Sequence, residues 1–147
     1  MRLERLDPYL KSFTGRVVQR RDDADGDWLR LDRSAFYPTS GGQLHDTGSL
    51  AGRPVVAVVL DSGEVWHRLE GGDGNADLGV GSEVTGVIDW PRRFTHMQRH
   101  TGQHLLSQAF VRVGLARGAK YATRSVSLRG SVCTLDLSGE PADLRRA

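Results

Sequence analysis

The sequence holds one cysteine in 147 residues. No disulfide can form within the chain, and no zinc site can be built from several of its cysteines. That usage suits a reducing compartment and predicts a cytoplasmic protein. Long apolar runs are also missing. No stretch approaches the roughly 18 apolar residues of a membrane span. The start, MRLERLDPYL, lacks the apolar segment of a secretory signal. No membrane association is therefore expected. Acidic residues are scarce in one part of the chain. Residues 92–147 carry ten Lys+Arg and three Asp+Glu, a net +7, whereas residues 1–91 carry ten and fifteen, a net −5. The sign changes at Trp90-Pro91-Arg92-Arg93. A basic half suits a polyanion such as nucleic acid, although Arg-rich surfaces are common.

What is present is enough apolar content to fold. Hydrophobic residues make up 38% and charged residues 26%, which suits one globular domain or two small ones. The first 90 residues read as short strands between turn signals: Phe13–Arg20, Trp28–Leu31, Ala35–Tyr37, Pro54–Leu60, Glu64–Leu69 and Ser82–Asp89. Residues 22–27 read as a hairpin loop and residues 70–81 as a Gly/Asp/Asn-rich loop. From Arg92 to about Val113 the pattern is helical, with Asp89 or Trp90 near the cap, Pro91 in the first turn and Gly114 as the stop. Met97, Leu105, Leu106, Ala109, Phe110 and Val113 recur at helical spacing. Tyr121–Leu128 and Ser131–Leu137 return to strand alternation. Residues 138–144 look like the start of a short helix, so the sequence reads as cut. The expected fold class is α+β: a small antiparallel β-barrel over 1–90, then a long helix and a β-hairpin over 91–147.

Three histidines, His96, His100 and His104, stand four apart on the expected helix, which puts them on one face. Imidazoles at i and i+4 can share one zinc ion. Spacing alone leaves a second reading, polar groups on an exposed face. The residue after His100 is Thr101, so the H-E-x-x-H protease pattern fails. Zinc needs further ligands, and His45, His67 and Cys133 are the other nitrogen and sulfur candidates. Cys133 reads better as a small buried hydrophobe, and His67 as ordinary surface. The loop Thr39-Ser40-Gly41-Gly42-Gln43 is a second candidate site. Its glycines allow close approach of a ligand, and its polar side chains offer neutral hydrogen-bond groups; spacing alone also allows a simple tight turn.

Together these elements resemble one family. Ala35-Phe36-Tyr37-Pro38-Thr39-Ser40-Gly41-Gly42-Gln43 with Asp46-Thr47-Gly48 is similar to the glycine-rich motif of the alanyl-tRNA editing proteins. His96-Met97-Gln98-Arg99-His100-Thr101-Gly102-Gln103-His104-Leu105-Leu106-Ser107-Gln108-Ala109-Phe110 resembles their zinc-binding helix, which the editing domain of alanyl-tRNA synthetase shares. Ser125–Leu137 resembles the hairpin that follows. The resemblance implies a β-barrel ahead of an editing domain, and hydrolysis of the ester between serine or glycine and the acceptor end of the alanine tRNA. It implies Zn2+ as cofactor, with His100 and His104 as ligands; His96 is not one of the family's ligands. The family's second ligand pair, C-x-x-x-H, is absent, since no histidine follows His104. It makes Thr101 and Gln103 the catalytic candidates. Thr39, Ser40, Gly41, Gly42, Gln43 and Arg99 are the substrate-binding candidates. Arg92, Arg93, Arg99, Lys120, Arg124 and Arg129 are the expected phosphate contacts, with Tyr121 the aromatic nearest them. The competing expectation is an inactive module that binds RNA or a partner.

Overall fold

The computed structural model describes residues 1–23, 26–71 and 78–139. The chain divides into two compact units, Met1–Ser40 with Leu44–Phe94 and Gly41–Gln43 with Thr95–Ala147.

The first unit is a closed six-stranded barrel. Its strands are β1 (Ser12–Asp23), β2 (Gly26–Leu31), β3 (Gly48–Leu50), β4 (Arg53–Asp61), β5 (Glu64–Leu69) and β6 (Glu83–Ile88). They close in the order β1-β2-β5-β4-β3-β6, every pair antiparallel. Alternation decides which side chains fill the barrel. Along β1, Phe13, Gly15 and Val17 are buried while their neighbours Ser12, Thr14 and Arg16 are exposed. Phe13, Val17, Leu29, Phe36, Leu50, Val58 and Val84 belong to one continuous core. Closure removes open sheet edges. The strand expected at Ala35–Tyr37 does not form; these residues run as irregular chain with Ala35 and Phe36 fully buried. The short β3 has no counterpart in the sequence reading, because three residues carry too little alternation to detect. The tip of the 22–27 hairpin, most of the 70–81 loop and residues 140–144 of the expected terminal helix lie outside the described residues; Ser138, expected to open that helix, ends a strand instead.

Helix α1 (Trp90–Ala116) begins in the first unit. Asp89 caps it: its carboxylate accepts the Arg92 backbone N–H at 3.2 Å and the Thr47 hydroxyl at 3.0 Å. In the second unit α1 accompanies a hairpin of β7 (Ala122–Ser127) and β8 (Thr134–Ser138). Gly114 does not stop the helix. It is buried inside it, where a Cβ would lie 2.7 Å from the Tyr121 ring. The stop falls at Gly118, whose φ of +69° is left-handed and lets Ala119 N–H return to the Gly114 carbonyl at 2.8 Å. Leu105, Leu106 and Val113 keep helical spacing but are exposed. The buried positions of the helix in this unit include His96, Ser107 and Gly114. Among the described residues no helix is long and apolar enough to cross a membrane.

Candidate metal and substrate site

One helical turn brings His100 and His104 together. Their Nε2 atoms lie 3.1 Å apart and their ring centroids 4.6 Å apart, with 65° between planes. Two nitrogens on one tetrahedral zinc, each bonded at 2.0–2.1 Å, stand about 3.3 Å apart. The pair therefore has the spacing of two corners of a tetrahedron. Without a metal, one ring donates and the other accepts. Both side chains are exposed. Partial burial, then the neighbouring His104, pushes the His100 pKa below its ordinary value, which favours the neutral ring that ligates metal. His96 does not share their exposure; it is buried one turn upstream.

The other histidines are committed elsewhere. His67 is not on the surface. It is fully buried in the barrel, with Nδ1 3.0 Å from the Leu29 carbonyl and Nε2 2.7 Å from Ser34 Oγ. Nδ1–H donates to the carbonyl, so Nε2 accepts the serine hydroxyl; this tautomer is assigned from the bonding. Burial lowers its pKa to about 4. His45 uses both nitrogens too, Nε2 toward the Val56 carbonyl and Nδ1 toward Thr39 Oγ1, each at 3.1 Å. Cys133 is exposed rather than a buried hydrophobe and lies just before β8. Among the described residues no cluster of three or more metal-ligating side chains forms. The two histidines fit a zinc ion, but they are half of a tetrahedral donor set.

Residues of the glycine loop have separate tasks. The Thr39 hydroxyl accepts the His45 backbone N–H at 3.2 Å and donates to the His45 ring. Ser40 and Gly41 are exposed, and Gln43 is buried. Gly42 has φ of +82°, and its carbonyl accepts the Leu128 N–H at 3.1 Å. A Cβ there would sit 2.3 Å from the Val126 carbonyl oxygen. Only glycine allows this approach of loop to hairpin.

Thr101 is exposed beside His100. Gln103 is half-buried, and its Nε2 donates to Ser107 Oγ at 2.9 Å; the Thr123 hydroxyl donates to the same oxygen at 3.0 Å. This fixes the Gln103 amide and leaves its Oε1 as an acceptor. Ser107 and Thr123 escaped the sequence reading. The i, i+4 spacing of Gln103 and Ser107 was the available signal for the first; nothing local marks the second. Arg99, Gly102, Gln103 and Leu106 form one wall of a cavity of about 250 Å³, which Leu128, Cys133, Thr134 and Leu135 complete from the hairpin. Such a volume suits a fragment-sized group, below the roughly 300–1,000 Å³ of drug-sized sites.

Two expected phosphate contacts are otherwise engaged. Arg93 is buried, with Nε 3.0 and 2.9 Å from the two Asp46 carboxylate oxygens. Arg92 Nε donates to the His45 carbonyl at 3.1 Å. Lys120, Arg124 and Arg129 are exposed. Tyr121 is buried edge-on to Phe110, their centroids 6.3 Å apart, and offers no stacking face to solvent.

No protein-family model matches the chain. Individual relatives do. An alanyl-tRNA editing protein AlaX-M of Methanosarcina acetivorans is 44% identical over 110 residues, covering 69% of this chain and 44% of that protein. The AlaX-M protein of Pyrococcus horikoshii is 45% identical over 101 residues, 68% of this chain and 44% of that one. The alanine–tRNA ligase of Pyrococcus abyssi is 45% identical over 112 residues, 73% of this chain and 11% of the ligase. The chain thus spans less than half the length of the editing proteins it matches. Over these residues, with its barrel, glycine loop and histidine helix, it is a member of the alanyl-tRNA editing protein family.

Proposed function

We propose that the chain serves trans-editing: hydrolysis of the ester that joins a wrong amino acid, serine or glycine, to the acceptor end of the alanine tRNA, in the cytoplasm. The observation that carries this reading is the facing Nε2 pair of His100 and His104, in a relative of proteins named for alanyl-tRNA editing. These two residues would hold Zn2+, which when bound supplies Lewis acidity for an ester carbonyl. Thr101, beside the pair, and Gln103, through its Oε1, would orient the aminoacyl group. A site that hydrogen-bonds the serine hydroxyl rejects alanine, because its own polar groups would be left unpaired. The Gly41-Gly42 backbone and Gln43, in the second unit, would line the substrate, and Arg99, from the cavity wall, would meet a phosphate. The exposed Lys120, Arg124 and Arg129 supply further positive charge for the tRNA.

A second reading is a non-catalytic RNA-binding module. The two-histidine donor set favours it. One assay separates the two. Alanine tRNA mischarged with serine is incubated with the 147-residue chain and with a chain extended to the length of its relatives, each with and without chelator. Chelator-sensitive hydrolysis by either supports editing. Binding of the tRNA with no hydrolysis by either supports the module.

A further inference from the structure

We propose that Tyr9, Trp90 and Phe94, with Lys11, form a stacking platform for unpaired nucleotides of the RNA. The inference rests on the tRNA reading above and adds a surface to it.

Trp90, the first residue of α1, stands at the centre of the group. The Tyr9 ring lies 5.9 Å from it at 44°, and the Phe94 ring, one turn along the helix, 5.8 Å from it at 30°. Lys11 Nζ sits 5.0 Å from the Trp90 ring centroid. Tyr9 is 61% exposed and Phe94 41%. Aromatic residues in a row usually bury one another or enter a core; here two of the three keep a face to water. The barrel core fills without them.

The platform is held rigidly, which a recognition surface requires. The Asp7 carboxylate accepts the Tyr9 backbone N–H at 2.9 Å. The Pro8 carbonyl accepts Arg93 Nη1 at 2.9 Å, so the buried Arg93 side chain pins the segment that carries Tyr9. The Lys11 carbonyl accepts the Ile88 N–H at 2.8 Å, just ahead of the helix start. Two segments distant in sequence, residues 7–11 and residues 88–94, are thus tied together.

Chemistry selects the occupant. Exposed aromatic faces stack on unpaired bases, and every base offers such a face. Bases within a duplex are already stacked and cannot use it. Lys11 places one positive charge where a strand threading past the rings carries phosphate.

The test uses the full 147-residue chain. Unacylated alanine tRNA and a blunt RNA duplex are titrated while tryptophan fluorescence is followed. Trp28 and Trp66 are buried, so quenching reports Trp90. Expected are quenching by the tRNA and little by the duplex. A Tyr9→Leu/Phe94→Leu double variant, which keeps apolar bulk but removes the ring faces, should bind the tRNA at least about five-fold more weakly. Lys11→Met should weaken it and flatten its salt dependence. Tyr9→Phe should bind as the unaltered chain does, which separates ring loss from misfolding; circular dichroism checks each fold. Equal affinity of the double variant overturns the platform while RNA binding stands. No tRNA binding by the unaltered chain overturns the platform, while the hydrolysis assay above decides the editing reading separately. Self-association abolished by the double substitution, with tRNA affinity unchanged, assigns the surface to a second copy and overturns the proposal.

Discussion

Arg93 and Asp46 form an ion pair sealed from solvent, 3% and 0% exposed, between the start of helix α1 and the segment leaving the glycine loop. Asp46 also accepts the Tyr37 N–H at 2.6 Å, and Arg93 reaches the Ala35 and Pro8 carbonyls. One guanidinium therefore binds three stretches of the first unit to the helix. Its donors and the carboxylate are met within the protein, which is the condition for a buried charge to persist.

Removing one partner leaves the other charge buried and unpaired. Arg93→Met should cost about 3–5 kcal/mol, read as a lower urea midpoint. Arg93→Lys should not restore it, because a single ammonium cannot reproduce the fork. A midpoint unchanged in Arg93→Met would refute this account.

His67 gives stability a pH dependence. Its folded pKa, about 4, lies below its ordinary 6.5, so the folded state favours the neutral ring. The contribution is complete above pH 6.5 and is lost as pH falls from 6.5 toward 4. It amounts to roughly 3 kcal/mol in full. Urea midpoints measured between pH 7 and pH 4.5 should fall, and His67→Leu should flatten that slope even if its baseline is lower. An equal slope in the variant would place the titration elsewhere.

Two glycines of α1 should respond oppositely to alanine. At Gly102 nothing lies within 4 Å of a new Cβ, so Gly102→Ala should stabilise by about 0.5–1 kcal/mol. At Gly114 the Cβ would meet the Tyr121 ring and the Ala119 carbonyl oxygen, 2.8 Å away. Gly114→Ala should destabilise despite the gain in helix propensity. Thermal melts of both variants check the contrast, and a rise in both would refute the packing at Gly114.

Zinc uptake should depend on the facing pair alone among the helix histidines. His100→Ala and His104→Ala should each abolish zinc retained after dialysis, measured by atomic absorption. His96→Gln should leave it unchanged, since that ring is buried apart from them. Unaltered zinc content in His104→Ala would contradict the ligand assignment.

How far the sequence could be read depended on range. Strands such as Glu64–Leu69 and the helix from Trp90 were legible because alternation and helical spacing are local. So was the meeting of His100 and His104, which one helical turn brings about. His67 misled because Trp66-His67 at a strand end gives no sign of which face turns inward. Arg93 looked like surface charge because its partner lies 47 residues away. Leu105 and Leu106 keep helical spacing yet are exposed, because such spacing marks a shared face and not what covers it.

The α+β order of elements and the spacing of the helix histidines one turn apart are legible in the sequence, whereas the need for glycine at position 42 comes from its approach to Val126 in the hairpin. Only the tertiary structure decided which polar groups are spent inside the fold: His67 on Leu29 and Ser34, Arg93 on Asp46, Gln103 on Ser107. The reason is physical. Backbone periodicity acts over a few residues, whereas desolvation obliges a buried polar group to find a partner wherever the folded chain brings one.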